Sequence, residues 1–212
     1  MIGSWAHGLG LGISEFQLRL LGIYLHELMA WNKRMNLSGL SSIQGIITEL
    51  LLDSLIPLPF LPQEGRLLDM GSGAGFPGIP LKICRPQLAV DLVEANLKKV
   101  SFLKQVVRLT ELTGIRVLSG RVEKDTAALH PQGYHVVTAR AVAPLSRAMA
   151  WAGPHVMSQG LFLDFQGSGF EDSLRESRGV MKRHHFVFYK TIPYILPGKD
   201  SPRHLLIFTK QT

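Results

Sequence analysis

The chain of 212 residues has a single cysteine, fewer acids than bases and no long uninterrupted apolar segment. The lone Cys84 excludes an internal disulfide, and it also excludes a metal site built from cysteines alone. The most apolar stretch, residues 46–61, contains two acids and two prolines, so we expect no membrane span. Because no basic segment followed by an apolar core opens the chain, we also expect no signal peptide and a cytoplasmic location.

Positive charge is the second bulk feature, since 23 Lys and Arg stand against 16 Asp and Glu and the net charge is +7 with histidine neutral. A basic balance is typical of proteins with a polyanionic partner, although many small proteins are basic without one. The basic side chains are concentrated between residues 82 and 124, where acids are scarce. This concentration favours nucleic acid as the partner.

Helical spacing of apolar residues organises the first part of the chain. It predicts one helix over residues 14–31, with Ser14 as its N-cap, and a second from Ser41 or Ser42 to Leu55. Three prolines within residues 56–62 indicate a linker. We therefore expect residues 1–60 to form an N-terminal helical extension, followed by a separate domain over residues 61–212.

Short apolar runs alternate with helical patterns in the second part of the chain. This alternation predicts an α/β fold with a doubly wound, mostly parallel sheet, closed by an antiparallel pair. The predicted strands are 67–70, 88–93, 115–118, 134–138 and 161–165, the closing pair is 185–189 and 204–209, and the predicted helices are 78–83, 98–112 and 145–157.

The main chemical motif is a glycine loop between the first predicted strand and the helix after it. The strand ends at Asp69, and the loop carries Gly71, Gly73 and Gly75, which allow close approach of a ligand to the backbone. The loop matches the G-x-G-x-x-G dinucleotide pattern and equally the G-x-G-x-G pattern of S-adenosylmethionine enzymes. Asp69 favours S-adenosylmethionine, because its methionine half carries an ammonium group, whereas a carboxylate would repel a pyrophosphate.

Two further positions suit the rest of a nucleoside ligand. Glu94, at the end of the second strand, can accept both ribose hydroxyls, in NAD or in S-adenosylmethionine. Val122 and Glu123 follow the third strand, where apolar contact and backbone N–H groups often hold adenine. The alternatives are a solvated acid and an ordinary turn.

Arg140 stands at the end of the fourth strand, where a transferred methyl group would lie. The Asn- or Asp-Pro-Pro-aromatic sequence of exocyclic-amine methyltransferases is absent there, and Cys84 is interpreted as a packing residue. An arginine here can bind a phosphate or a guanine edge, or it can hold the cofactor loop. A surface salt bridge is the alternative.

Candidate RNA contacts come from two helices. Lys98, Lys99, Lys104 and Arg108 recur along one predicted helix, and they either face RNA phosphates or form a solvated face. Trp31 with Asn32 and Asn36 either stacks on a base or serves helix packing and a turn. The histidines show no metal-ligand spacing, so we predict no metal site.

Taken in order, these motifs resemble the RsmG (GidB) family of bacterial 16S rRNA guanine-N7 methyltransferases. The resemblance covers nearly the whole chain, and it is the ordered set of motifs that is specific. The matching pieces are Trp31-Asn32-Lys33 with Asn36-Leu37, Leu52-Asp53-Ser54, residues 69–80, Arg85-Pro86, residues 98–105, Arg121-Val122-Glu123, Arg140-Ala141 and Arg203-His204-Leu205.

The resemblance implies a class I methyltransferase fold with an N-terminal helical extension, and a guanine in the 530 loop of 16S rRNA as target. It also implies S-adenosylmethionine contacts at Gly71, Phe76, Glu94, Val122, Glu123 and Arg140. The chain departs from the family pattern at three places: Ala74 replaces the usual proline of the loop, Glu94 replaces a frequent Asp, and Glu49-Leu50 replace an Arg-His pair.

We therefore predict a monomeric methyltransferase that acts on 16S rRNA or the small ribosomal subunit, with Arg140 as its catalytic candidate. The sequence offers no convincing general base, which agrees with guanine N7, because that nitrogen has a free lone pair and no proton to remove. Two other interpretations remain open: an NAD-dependent oxidoreductase, and a non-catalytic RNA-binding ribosome assembly factor.

Overall fold

A computed structural model describes residues 12–212, so the first eleven residues of the predicted extension lie outside the described part. Helix α1 (Glu15–Met35) begins after Ser14, whose hydroxyl accepts from the Gln17 backbone N–H at 3.2 Å. The Gln17 side chain accepts in return from the Ser14 N–H at 2.9 Å. This capping box confirms Ser14 as the N-cap. The helix continues to Met35, where Asn36 leaves the helical conformation with φ +42°.

The second helical segment consists of α2 (Ile43–Ile46), a π-helical stretch (Ile47–Leu52) and α3 (Asp53–Leu55). A 3-10 turn (Leu58–Phe60) follows, and Leu58 is fully buried. The prediction of a linker over residues 56–62 is therefore wrong, because apolar side chains of this segment pack in the core. Residues 43–60 are long and apolar enough to cross a membrane, but more than half of them are buried inside the fold, as in a core helix of a soluble protein.

Within residues 12–212, seven strands form one sheet in the order β3-β2-β1-β4-β5-β7-β6. The first five run parallel, while β7 is antiparallel to both β5 and β6. The predicted fold class and its closing antiparallel pair are thus confirmed. The strands are β1 (Gly65–Met70), β2 (Leu88–Glu94), β3 (Ile115–Ser119), β4 (Tyr134–Arg140), β5 (Val156–Gln166), β6 (Phe186–Tyr194) and β7 (Arg203–Lys210).

Helices cover both faces of the sheet. One face packs against α1, α4 and α5 in a continuous apolar core, and the opposite face packs against α6, α7 and α8 in a second core. Cys84 lies in the first core, where burial raises the pKa of its thiol to about 12, in agreement with a packing role. The helices are α4 (Gly78–Cys84), α5 (Leu97–Leu109), α6 (Leu145–Ala152), α7 (Phe170–Glu176) and α8 (Arg178–Arg183).

Three predicted helix ends are wrong: α1 continues to Met35 and not only to residue 31, while two other helices stop early. Helix α5 stops at Leu109, not at residue 112, because the Thr110 hydroxyl bonds back to the Val106 carbonyl at 2.7 Å and Glu111 adopts φ +50°. Helix α6 stops at Ala152, not at residue 157, because Val156 already pairs with β4 in the sheet. Strand pairing there overrides the local helical pattern.

Candidate active site

A crevice of about 270 Å³ opens at the carboxyl ends of β1 to β4, the edge at which open parallel sheets bind ligands. Gly71 has φ +63°, and a Cβ atom there would lie 2.6 Å from Val142 Cγ2. Only glycine therefore leaves this wall open. The crevice is lined by Gly71, Val93, Glu94, Ala95, Gly120, Arg121, Val122, Glu123, Ala141, Val142 and Trp151.

Glu94 joins the glycine loop to the end of β2. Its Oε2 accepts from the Gly73 backbone N–H at 2.8 Å, and its Oε1 accepts from the Asn96 N–H at 2.7 Å. A carboxylate oxygen has more than one lone pair, so both oxygens keep the capacity to accept from a ligand hydroxyl. The side chain is nearly buried yet lines the crevice, which is the arrangement expected of a ribose acceptor.

Val122 and Glu123, which follow β3, also line the crevice. Val122 is buried and supplies an apolar wall, while the Glu123 carboxylate is partly exposed and lies 3.9 Å from the Arg121 guanidinium. The opposite wall includes Trp151 of α6, a residue that the sequence analysis did not select. The result is a slot with apolar sides and two carboxylates, Glu94 and Glu123, at the strand ends.

Asp69 lies beneath the glycine loop instead of on the crevice wall. Its side chain is fully buried, Oδ2 accepts from the Gly78 N–H at 3.0 Å, and Oδ1 accepts from the Thr138 hydroxyl at 2.8 Å. Burial raises the pKa of this carboxyl to about 6, against the opposing effect of these hydrogen bonds. Asp69 therefore holds the start of α4 in place, and a direct contact with an ammonium group stays a prediction.

Gly75 and Phe76 also face inward. A Cβ atom at Gly75 would meet the Ile79 side chain at 2.5 Å, and Phe76 is buried with its ring centroid 5.2 Å from that of Tyr24. The Tyr24 hydroxyl donates to the Ala74 carbonyl at 2.6 Å. Helix α1 thus supports the glycine loop from behind, and a Phe76 contact with cofactor stays a prediction.

A second pocket of about 370 Å³ adjoins the crevice, and the two share Ala141. Asp53 lines this pocket, and its side chain is only 2% exposed. Asp53 receives Arg140 Nη1 at 2.8 Å, Arg203 Nη1 at 3.1 Å and the Tyr194 hydroxyl at 2.7 Å. Burial, followed by the charge of Asp53, raises the pKa of Tyr194 far above its ordinary value, so its hydroxyl stays protonated and donates.

Arg140 connects this pocket with the glycine loop. Its Nη1 also donates to the Glu49 carbonyl at 3.2 Å, and its guanidinium lies 5.7 Å from the centre of the Phe76 ring. With 17% of the side chain exposed, the ion pair with Asp53 is largely buried, unlike the surface salt bridge considered as an alternative. A guanidinium carries five N–H donors, so Arg140 retains donors for a ligand in the pocket.

Comparison with known proteins agrees with this geometry. A profile of the GidB family, described as rRNA small subunit methyltransferase G, matches residues 17–197. The chain belongs to the GidB family. The family predicted from the sequence motifs is thereby confirmed.

Relatives at about one-third identity cover nearly the whole chain. Ribosomal RNA small subunit methyltransferase G 1 of Syntrophobacter fumaroxidans is 36% identical over 209 residues, covering 97% of this chain and 93% of that protein. Ribosomal RNA small subunit methyltransferase G of Chloroflexus aggregans is 38% identical over 203 residues, covering 95% and 85%.

Solved methyltransferases share the fold at low sequence identity. M. jannaschii TYW2 in complex with AdoMet has a TM-score of 0.61 at 14% identity, covering 78% of this chain and 75% of that one. Precorrin-6y C5,15-methyltransferase from Geobacter metallireducens has a TM-score of 0.57 at 13% identity, covering 77% and 88%. The fold of this GidB chain is therefore the class I, Rossmann-like methyltransferase fold.

The two asparagines proposed for RNA binding have partners inside the protein. Asn32 donates to the Leu40 carbonyl and accepts from the Ser38 N–H at 3.1 Å. Asn36 caps α1 and accepts from the Gly39 N–H at 3.1 Å. These bonds shape the loop after α1 and favour the turn interpretation, so direct RNA contact by either side chain stays a prediction.

The basic side chains of α5 lie on its outer surface. Lys98, Lys104 and Arg108 are exposed and Lys99 is half-buried, while Arg108 donates to Gln105 at 2.9 Å. The helix starts beside the crevice, since Asn96 caps it directly after Glu94 and Ala95. Lys98 and Lys99 thus lie nearest the crevice, and Arg108 is about 15 Å farther along the helix axis.

Sequence reasoning missed most of the second pocket as a site. Asp53 and Arg203 entered only as parts of the family resemblance, while Tyr194 and Gln166 were not selected. A local signal existed only for Asp164, an acid within the apolar run 161–165, which does not itself line the pocket. Its side chain is 3% exposed, and burial raises the pKa of its carboxyl to about 7.

Proposed function

We propose that this protein transfers a methyl group from S-adenosylmethionine to N7 of a guanine in 16S rRNA, within the 530 loop of the small ribosomal subunit. The observation that carries the proposal is the junction at Ala141. There, a slot suited to a nucleoside lies next to a pocket lined by two arginines, since Ala141 lines both. The names of the family and of its relatives support rRNA of the small subunit as substrate.

The residues of the crevice fit S-adenosylmethionine. Gly71 supplies a wall that a side chain would fill, Glu94 supplies acceptors for two ribose hydroxyls, and Val122 and Trp151 supply apolar sides for an adenine ring. The backbone of the glycine loop would then contact the methionine half of the cofactor. When bound, the cofactor supplies a methyl group on a positively charged sulfur.

The arginine pocket fits the acceptor. Arg140 and Arg203 are held by Asp53 and the Glu49 carbonyl, so their guanidinium groups are fixed before substrate binds. Fixed guanidinium donors recognise guanine O6 or an RNA phosphate. Because N7 carries a free lone pair, the protein has only to orient the base and exclude water, which is catalysis by proximity.

Product mapping tests the proposal. The protein is incubated with S-adenosylmethionine and either naked 16S rRNA or small subunits from a strain that lacks the endogenous enzyme, and the digested RNA is analysed by mass spectrometry. We expect one 7-methylguanosine in the 530 loop. A methyl group on another atom or another RNA would refute the assignment. A thermal shift with NAD but none with S-adenosylhomocysteine would favour the oxidoreductase, and cofactor binding without methylation would favour the assembly factor.

We extend the proposal to the setting of the enzyme. Ribosomal RNA is a cytoplasmic substrate, so we place the protein in the cytoplasm. We further propose that it is a monomer with residues 1–60 as an N-terminal extension, of which the described residues 12–60 pack against the sheet. Lys98, Lys99, Lys104 and Arg108 are proposed to bind RNA phosphates, Lys98 and Lys99 nearest the target. Replacing Lys98 and Lys104 with Gln should reduce the salt slope of RNA affinity by about 2, one for each lost contact. An unchanged salt slope would mean that this basic face of α5 contacts solvent and not RNA.

A further inference from the structure

Phe165 of β5 brings an aromatic ring to the arginine pocket. In the sheet it pairs with Arg140 of β4 on one side and with Leu205 of β7 on the other. Paired residues of neighbouring strands share a face of the sheet, so the Phe165 side chain lies on the face that carries Arg140. Arg203 is two residues before Leu205 in β7, and strand alternation places it on that face as well. The ring and both guanidinium groups therefore line the pocket from the same face of the sheet.

The Phe165 ring is anchored and still available to a ligand. It is half-buried, and its side chain packs against the first apolar core. Within residues 12–212 no other aromatic ring stacks on it and no cation lies over its face. Tyr194 of the same pocket is instead held through its hydroxyl, which donates to Asp53. Phe165 thus offers apolar ring surface that no other aromatic or cationic group of the described chain uses.

Methyl transfer to N7 requires the target base to leave its stack. N7 lies on the major-groove edge of guanine, and the major groove of A-form RNA is too deep and narrow for side chains to read. Enzymes that modify a base inside folded nucleic acid therefore extrude it, and the base loses its stacking on its neighbours. An aromatic side chain that stacks on the extruded base offsets this loss, as aromatic side chains do when they bind single-stranded RNA.

We propose that the Phe165 ring stacks on the face of the extruded target guanine and holds it in the pocket while Arg140 and Arg203 contact its edge or an adjoining phosphate. Phe165 is then an acceptor-positioning residue that touches the base directly. Every base has a π face, so stacking fixes the plane of the base, and the choice among bases is left to the donors at its edge. The assignment rests on the proposed function, because it takes a base of RNA as the methyl acceptor.

Single-turnover rates at saturating S-adenosylmethionine and RNA test the assignment. The RNA carries the target guanosine either in its natural sequence or between two abasic nucleotides, which remove its stacking partners. On natural RNA, Phe165→Leu should lower the rate by about tenfold, the scale of one lost base stack, whereas Phe165→Tyr keeps the ring and should stay within about twofold of the wild type. Between abasic nucleotides the base has no stack to leave, so the loss in Phe165→Leu should shrink to about twofold.

Controls separate this role from a structural one. Phe60→Leu replaces a half-buried phenylalanine near the amino-terminal edge of the sheet, and it should keep the wild-type rate on both RNAs. S-adenosylhomocysteine affinity should be unchanged in all three variants. A wild-type rate in Phe165→Leu, an equal loss on both RNAs, or an equal loss in Phe165→Tyr would each overturn the assignment while leaving N7 methylation intact. Mapping of the wild-type methyl group to another atom or another RNA would instead overturn the proposed function.

Discussion

The two cavities of the site are assembled in different ways. The crevice is lined mainly by residues at or shortly after the carboxyl ends of β1 to β4, such as Gly71, Glu94 and Val122. The adjoining pocket combines residues from distant parts of the chain, and its Arg203–Glu49 bond joins positions 154 residues apart. The crevice is thus a product of successive strand–loop units, whereas the pocket exists only once both ends of the chain have packed together.

The two cavities also differ in the groups that hold their buried carboxylates. Glu94 in the crevice is held by backbone N–H groups, while Asp53 in the pocket is held by two arginines and a tyrosine hydroxyl. Loss of a crevice side chain should therefore affect cofactor affinity first. Loss of a pocket side chain should unbalance buried charges, and it should affect stability and methyl transfer first.

The largest effect is expected from Asp53→Ala. This change leaves Arg140 and Arg203 without their shared carboxylate, and breaking a buried ion pair in this way costs about 3–5 kcal/mol. Urea unfolding measures the loss. The matched variant is Asp172→Ala, which removes an exposed carboxylate paired with Arg175 and should change stability by less than about 1 kcal/mol. Similar losses for both variants would mean that the pocket network contributes no more than a surface pair.

Asp164→Asn should alter the pH dependence of stability. Because the folded-state pKa of about 7 lies above the ordinary value of 3.8, the folded protein binds the extra proton between these pH values. Stability therefore falls as pH rises from about 4 to about 7, by up to about 4 kcal/mol from this group. The variant should be more stable than the wild type at pH 8.5, with the difference disappearing near pH 4. Parallel urea-unfolding profiles for the two proteins would contradict the buried, titrating carboxyl.

Arg140→Ala should lower the single-turnover rate of methyl transfer by about 100-fold, the scale found for loss of one fixed electrostatic donor. Arg140→Lys should not restore the rate, because an ammonium group lacks the planar fork whose Nη1 donates to Asp53 and the Glu49 carbonyl while its other nitrogens can donate to a ligand. The exposed Arg147 of α6 provides the control, since Arg147→Ala should leave the rate unchanged. Full activity in Arg140→Ala would reduce this residue to a structural ion pair.

The smallest effect is expected from Glu94→Ala, which should weaken binding of S-adenosylhomocysteine by about 1.5–3 kcal/mol, the scale of hydrogen bonds to a charged group. Glu94→Gln keeps one acceptor oxygen and should lose less. Calorimetry measures both, with Glu64→Ala, an exposed residue before β1, as the control. Unchanged affinity in Glu94→Ala would mean that the ribose lies elsewhere, and it would remove the distinction between the two cavities.

The parts of the fold that were predicted correctly depend on local patterns. Ser14 was identified as a helix start, and the second helix was predicted to start at Ser41 or Ser42, of which Ser42 is the cap, because a capping side chain bonds to an N–H only two or three residues away. The predicted ends of α5 and α6 failed because a back-bonded threonine and the pairing of Val156 with β4 ended these helices early. Residues 56–62 were taken for a linker because prolines mark turns, but the sequence does not show that Leu58 is buried.

By itself the sequence determined the sheet, the glycine loop and the position of Glu94, because strand periodicity and short motifs act over a few residues. Only the tertiary structure decided that Asp69 and Phe76 face inward and that Asp53 joins Arg140 to Arg203. A buried charge is stable only when partners surround it, and those partners come from elements far apart in the chain. Their meeting depends on how helices and strands pack together, which no local pattern of residues encodes.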